Sequence, residues 1–208
     1  MSVDFMKKYA LCAALPLLLG GCASMAPPVA TPPAVAATTP RPYADKLDLG
    51  GRLSVRYENH GKEESMHGSF VWSQDPAHTS VTLLSPLGQT VAVIDVTPDG
   101  ATLTQGGQSV RSAADVDELV AGTLGWPLPV AGLREWLQGY VVDASGKRFI
   151  ASPRATDIAT RDGWRIRYAA WQDDPAQIRP RRIDLERSTA QAGDVSIRIV
   201  IDNWQARQ

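Results

Sequence analysis

From residue 47 onward apolar side chains recur at every second position, which restricts this chain to strands with one buried face. Leu47, Leu49, Leu53, Val55 and Tyr57 share one parity, as do Met66, Gly68, Phe70 and Trp72, and then Val81 and Leu83. Residues 91–96, 101–103, 164–168 and 183–185 extend the series, and Val195, Ile197, Ile199 and Ile201 close it. Turn formers stand between them: Asn59-His60-Gly61, Asp75-Pro76, Pro98-Asp99-Gly100, Gly106-Gly107, Asp162-Gly163 and Gly193-Asp194. Short strands joined by tight turns predict an antiparallel meander that curls towards a barrel.

Only the middle of the chain departs from this pattern. Ser112 is placed to cap a helix with Asp115 three residues on, and Val116, Leu119 and Val120 line one face. A second helix follows, with Pro129 in its first turn, Leu133, Trp136, Leu137 and Tyr140 on one face, and Gly139 as its stop. There is no internal repeat and no coiled-coil periodicity.

The first residues read as a leader. Lys7 and Lys8 precede an apolar run over residues 9–19 and then Gly20-Gly21-Cys22, the layout of a secretory signal and too short to span a bilayer. Leu19-Gly20-Gly21-Cys22 resembles the bacterial lipobox, which implies cleavage before Cys22, an S-diacylglyceryl group on its thiol and an N-acyl group on the new amino terminus. Asp4 is out of character for such a leader and leaves Met1 and Met6 as alternative starts. Residues 1–21 are therefore expected to be a signal peptide, 22–42 an acylated cysteine and tether, and 43–208 one folded domain. The tether holds six prolines and no charge before Arg41, a composition that favours extended chain. At about 3.1 Å per residue it spans up to roughly 60 Å.

With Cys12 in the leader and Cys22 acylated, no cysteine remains for a disulfide, a thiolate metal site or a nucleophile. Removal of the leader takes out Asp4, Lys7 and Lys8 and leaves a net charge of −2, so there is no electrostatic case for nucleic acid. His60, His67 and His78 fall in or beside expected turns, without metal-ligand spacing. No Gly-x-Ser-x-Gly elbow, phosphate-cradling loop or dinucleotide fingerprint is present. The acidic pairs Asp173-Asp174 and Asp115 with Asp117 suit a turn and a helix start. Arg52, Arg56, Arg165 and Arg167 read as a solvated sheet face. Neither an enzyme nor a cofactor is expected.

Three further segments are distinctive: Leu84-Ser85-Pro86-Leu87-Gly88-Gln89, the run from Gly125-Trp126-Pro127-Leu128-Pro129 through Leu133-Arg134-Glu135-Trp136-Leu137, and Asp202-Asn203-Trp204. With residues 51–57, Gly68-Ser69-Phe70-Val71-Trp72 and the lipobox, they resemble the LolB family of outer-membrane lipoprotein receptors, in order along nearly the whole domain. The likeness fades in the loops, above all over residues 173–182, to which no role is carried.

The resemblance implies a mainly β fold with helices: a half-open antiparallel β-barrel covered by a helical lid around an apolar cavity, acting as a monomer. The cavity would accept the acyl chains of cargo lipoproteins from a LolA-type periplasmic chaperone and release them into the inner leaflet of the outer membrane. A sixteen-carbon chain bare in water costs on the order of 12 kcal/mol, so a carrier must shield it throughout. Candidate cavity and lid residues are Phe70, Trp72, Leu83, Val93, Trp126, Leu133, Trp136 and Leu137; the alternative for each is a place in a solid core. Leu87, presented between Pro86 and Gly88, takes the family's membrane-inserting role. Ala23 after the acylated Cys22 implies outer-membrane sorting, with the domain facing the periplasm. The competing reading is a structural or assembly lipoprotein that binds a protein partner through its sheet.

Overall fold

A computed structural model describes residues 41–173 and 178–207. Cys22, the expected leader and nearly all of the tether lie outside the described residues, as do Asp174 and Pro175 of the expected acidic turn.

The alternating segments form strands β1 (Leu47–Asn59), β2 (Lys62–Gln74), β3 (Thr79–Leu84), β4 (Thr90–Thr97) and β5 (Gly100–Gln105) before the helices. After them come β10 (Arg165–Trp171), β11 (Pro180–Thr189) and β12 (Gly193–Ala206). Turn chemistry sets the pairing. His60 and Gly61 adopt φ of 52° and 75°, the left-handed pair that a two-residue hairpin needs, and Asn59 pairs with Lys62.

These strands join in one antiparallel ten-stranded sheet, ordered β6-β5-β4-β3-β2-β1-β12-β11-β10-β9. Its ends, β6 (Arg111–Ala113) and β9 (Asp157–Ala159), do not pair with each other, so the barrel is half-open. β7 (Tyr140–Val142) and β8 (Arg148–Ile150) make a separate two-stranded ribbon. These four strands of three residues were not expected, because alternation cannot register over so short a length.

One face of the large sheet is apolar and buried, through Leu47, Leu49, Leu53, Val55, Phe70, Trp72, Val81, Leu83, Ile94, Leu103, Ile166, Ile183, Leu185, Ile197 and Ile199. Val93 is a correction. Val81 pairs with Ile94 and Leu83 with Ala92, which puts Ala92 and Ile94 inside and Val93 on the outer face, half-buried. The pairing of β3 with β4 bulges at Val91, since Leu83 opposes Ala92 and Leu84 opposes Thr90. A second irregularity lets the last strand change parity: Gly50 opposes Asn203 and Gly51 opposes Ile201, with Asp202 bulged out between. A β-carbon on Gly51 would lie 2.1 Å from the Val200 carbonyl oxygen, so this close passage requires glycine.

Helices α1 (Val116–Leu124) and α2 (Val130–Trp136) cover the apolar face. Asp115, not Ser112, caps α1 by accepting from the Glu118 N–H at 2.9 Å; Ser112 belongs to β6. α2 is shorter than its apolar spacing implied. It ends at Trp136, Gly139 turns the chain at φ 82°, and Tyr140 opens β7. Pro129 stands at the N-cap of α2 and offers no capping side chain. Asp117 of α1 supplies what is missing, accepting from the Ala131 N–H at 3.1 Å and so joining the two helices.

Burial, opposed by the Ala131 and Val130 amides, pushes the Asp117 carboxyl up to about 6. Because the native state then holds a proton that the unfolded chain gives up near pH 4, stability falls as pH rises from about 4 to 6 and stays lower above. Asp117→Asn keeps an acceptor for Ala131 without the charge. We expect it to melt above the wild type at pH 7.5, converging with it near pH 4, in thermal unfolding curves across that range.

Candidate functional site

Between the sheet and α2 lies a slot bounded by Leu53, Phe70, Trp72, Val81, Leu83 and Ile199 from the strands and by Leu128, Leu133 and Leu137 from the cover. Every lining residue is apolar, so nothing in it selects for a polar group. Five of the residues singled out from the sequence meet here: Phe70, Trp72, Leu83, Leu133 and Leu137. Trp126 and Trp136 are buried beside the slot instead, Trp126 facing Tyr57 at 6.5 Å between ring centroids and Trp136 facing Trp164 at 6.5 Å. Gly132 leaves room for the Trp136 indole, which a β-carbon there would strike at 2.4 Å.

With the helices in this position the slot holds about 20 Å³, of the order of one water molecule. The expectation of an open hollow is thus corrected. The interior is packed, with no room for an acyl chain while Leu128, Leu133 and Leu137 stay in place.

Few polar bonds hold that cover down. The Arg134 guanidinium on α2 donates to Thr79 Oγ1 at 2.5 Å and to the Asp75 carbonyl. Tyr168 donates its hydroxyl to the Trp136 carbonyl at 3.0 Å, and burial pushes its phenol well above the ordinary range, which keeps it a donor. Gln138, after α2, accepts from the Ala44 N–H at 2.9 Å and donates to the Ala44 carbonyl at 3.0 Å. Gln74 accepts from the Trp72 indole at 2.9 Å and donates to Tyr43 Oη at 3.3 Å. The two buried glutamines therefore tie the entering chain, residues 43 and 44, to β2 through Gln74 and to the end of the cover through Gln138. Arg41 adds bonds to the Ile178 and Ala151 carbonyls and lies 5.7 Å from the Tyr140 ring and 5.8 Å from that of Trp171.

At the far end of β3 a turn presents the other predicted feature. The Gly88 N–H donates to the Ser85 carbonyl at 2.9 Å and the Ser85 N–H to that of Gln89 at 2.8 Å, with Gly88 at φ 79°. Proline before and left-handed glycine after leave Leu87 nowhere to fold back. It is 87% exposed, the most of any large apolar side chain described. Leu47 pairs with Gln74, Gln74 with Thr79, and Ser69 with Leu84. The chain therefore enters at the end of β3 opposite Leu87, about 20 Å away at strand rise.

Sequence reasoning missed Leu128, Gln74, Gln138 and Arg134 as site residues. Leu128 sits between two prolines and has no periodicity, and an isolated glutamine or arginine signals nothing until its partner is known. His67 lies within β2, not a turn, and His78 meets Asp95 at 3.1 Å.

The sequence profile described as outer membrane lipoprotein LolB matches residues 45–204. The outer-membrane lipoprotein LolB of Cupriavidus necator is 42% identical over 193 residues, covering 92% of this chain and 93% of that protein. That of Cupriavidus taiwanensis is 42% identical over 200 residues, 92% of this chain and 94% of its own. That of Thiobacillus denitrificans is 39% identical over 204 residues, covering 97% and 99%. A likeness of this extent, running through β1 to β12 and both helices, places the chain in the LolB family of outer-membrane lipoproteins.

Proposed function

We propose that this outer-membrane lipoprotein receives acylated lipoproteins from a LolA-type periplasmic chaperone, holds their acyl chains between the sheet and α2, and inserts them into the inner leaflet of the outer membrane. The observation that carries this reading is the slot itself: nine apolar residues and no polar one, closed by a short helix with few polar restraints. Opening exchanges apolar contacts instead of losing them. Leu128, Leu133 and Leu137 leave the sheet as the methylenes of the cargo replace them, each methylene stabilising by about 0.8 kcal/mol. What opposes opening is then mainly the set of bonds made by Arg134, Gln138 and Tyr168. No nucleotide is needed, because cargo gains most in the bilayer and transfer runs down a gradient of affinity.

Anchoring follows from acylation of Cys22, and the tether sets the reach. Its eighteen residues from 23 to 40 extend to roughly 56 Å, more than enough to bring the Leu87 end of the domain to the membrane although the chain enters at the other end. A partner-binding scaffold would share the packed apolar core but would not need the bare leucine.

Arg134→Met keeps the side chain's stem but removes the fork that reaches Thr79 and Asp75. It is expected to lower stability by about 1–3 kcal/mol and to speed uptake of a fluorescent fatty-acid analogue in stopped-flow mixing; unchanged uptake would show that this latch does not limit opening. Leu87→Glu should leave unfolding and uptake unchanged while lowering insertion of cargo into liposomes by about tenfold or more, measured with a radiolabelled lipoprotein. Insertion at the wild-type rate would remove the leucine from the mechanism.

A further inference from the structure

The Leu87 turn belongs to a hairpin with an unusual charge distribution. Residues 79–94 contain no ionisable side chain, in a chain where 21% of residues are charged, so β3, its turn and the first residues of β4 as far as Ile94 can enter an interface without stripping water from an ion. Val71 on β2 and Val93 on β4 flank Thr82 across the outer face, and Val71 is 50% exposed.

Immediately beside this hairpin the outer face changes character. A groove of about 500 Å³ is lined by Arg52, Ser54, His67, Ser69, Arg198 and Pro86 together with Leu53, Gly68 and Val200, and no carboxylate lines it. The register explains the cluster. Ser54 pairs with His67 on β2 and Arg198 on β12, and Arg52 pairs with Ser69 and Val200, so three adjacent strands project these groups from neighbouring positions. Pro86 directly precedes Leu87, which fixes the cations next to the inserting tip.

The ion pairs around the groove leave one cation in excess. Asp202 accepts two bonds from Arg52, at 2.9 Å each. Asp184 is shared between Arg182 and Arg198, and Arg198 reaches it through Nε at 3.0 Å. Three guanidiniums, of which Arg52 and Arg198 line the groove, thus stand against two carboxylates, and exposed pairs of this kind are weak enough to yield to a phosphate.

From this we infer that the groove beside Pro86 binds the phosphate of an anionic phospholipid headgroup while Leu87 enters the acyl region, so that the uncharged hairpin and the arginine groove form one membrane-docking surface. This rests on the membrane role proposed for Leu87 and adds the lipid class that the surface takes.

The test is co-flotation of the mature chain carrying Cys22→Ala with vesicles of phosphatidylcholine alone or mixed with phosphatidylglycerol. The wild-type domain should bind the mixed vesicles roughly tenfold more tightly, and Arg52→Gln with Arg198→Gln should reduce this to the phosphatidylcholine level. Arg165→Gln with Arg167→Gln, an equal loss of charge further round the sheet, should keep most of the preference. Circular dichroism melting checks that all variants are folded. Equal loss in both double variants would mean that net charge alone acts, and wild-type binding by the first would mean that the groove is idle; either overturns the inference. Saturable binding of inorganic phosphate to the groove together with equal binding to both vesicle types would overturn it as well, by making the groove a free-phosphate site. Leu87→Glu separates the two layers: if it abolishes binding to both vesicle types while the arginine variants bind normally, the leucine reading stands and the groove falls.

Discussion

A single antiparallel sheet with one continuous apolar face and two unpaired ends is the constraint from which the rest of this structure follows. The face must be covered, and since β6 and β9 do not meet, the sheet cannot cover it by closing on itself. Two short helices do so instead. α1 and α2 are held to one another by Asp117 and to the sheet by Leu119, Val120, Leu133 and Trp136.

A cover of this kind is removable in a way that a closed barrel wall is not. Sheet strands are bound by backbone ladders along their whole length, whereas α2 is fixed by side chains: Asp117 at its start, and Arg134, Tyr168 and Gln138 at its last turn and just beyond. Beneath it the Leu and Trp side chains offer no preference between one another and an alkyl chain. In the function proposed above, the packed slot is the closed state of a binding site, with the protein's own leucines in the place of cargo. In the proposed delivery step the opposite property acts, a side chain that finds no apolar partner. Leu87 is kept in solvent by its turn and lies beside the groove lined by Pro86, Arg52 and Arg198.

Much of this was legible from residue order alone. Strict alternation named the inner faces of β1, β2, β3 and β12, and Pro86-Leu87-Gly88 named the exposed tip. The failures have specific causes. In residues 91–96 valines and isoleucine occupy both parities, and the choice fell to the pairing with β3 and its bulge, which turned Val93 outward. The sequence placed Ser112 at the cap of α1, but pairing with β5 claimed the serine for a strand and left the cap to Asp115. The seven-residue length of α2 was hidden because Tyr140 continues its apolar spacing after Gly139 has already broken the helix. Whether the interior was hollow or filled could not be read at all, since the same parity serves either.

Replacement of Leu128, Leu133 and Leu137 by acyl chains against the sheet is the central step of the proposed function. The most direct measurement is photo-cross-linking of the acylated receptor with a lipoprotein whose acyl chain carries a diazirine, followed by peptide mapping. Labelling concentrated on peptides containing Phe70, Trp72, Leu133 and Leu137 is the predicted result. Labelling confined to the outer face around Leu87, with the interior peptides clean, would contradict it.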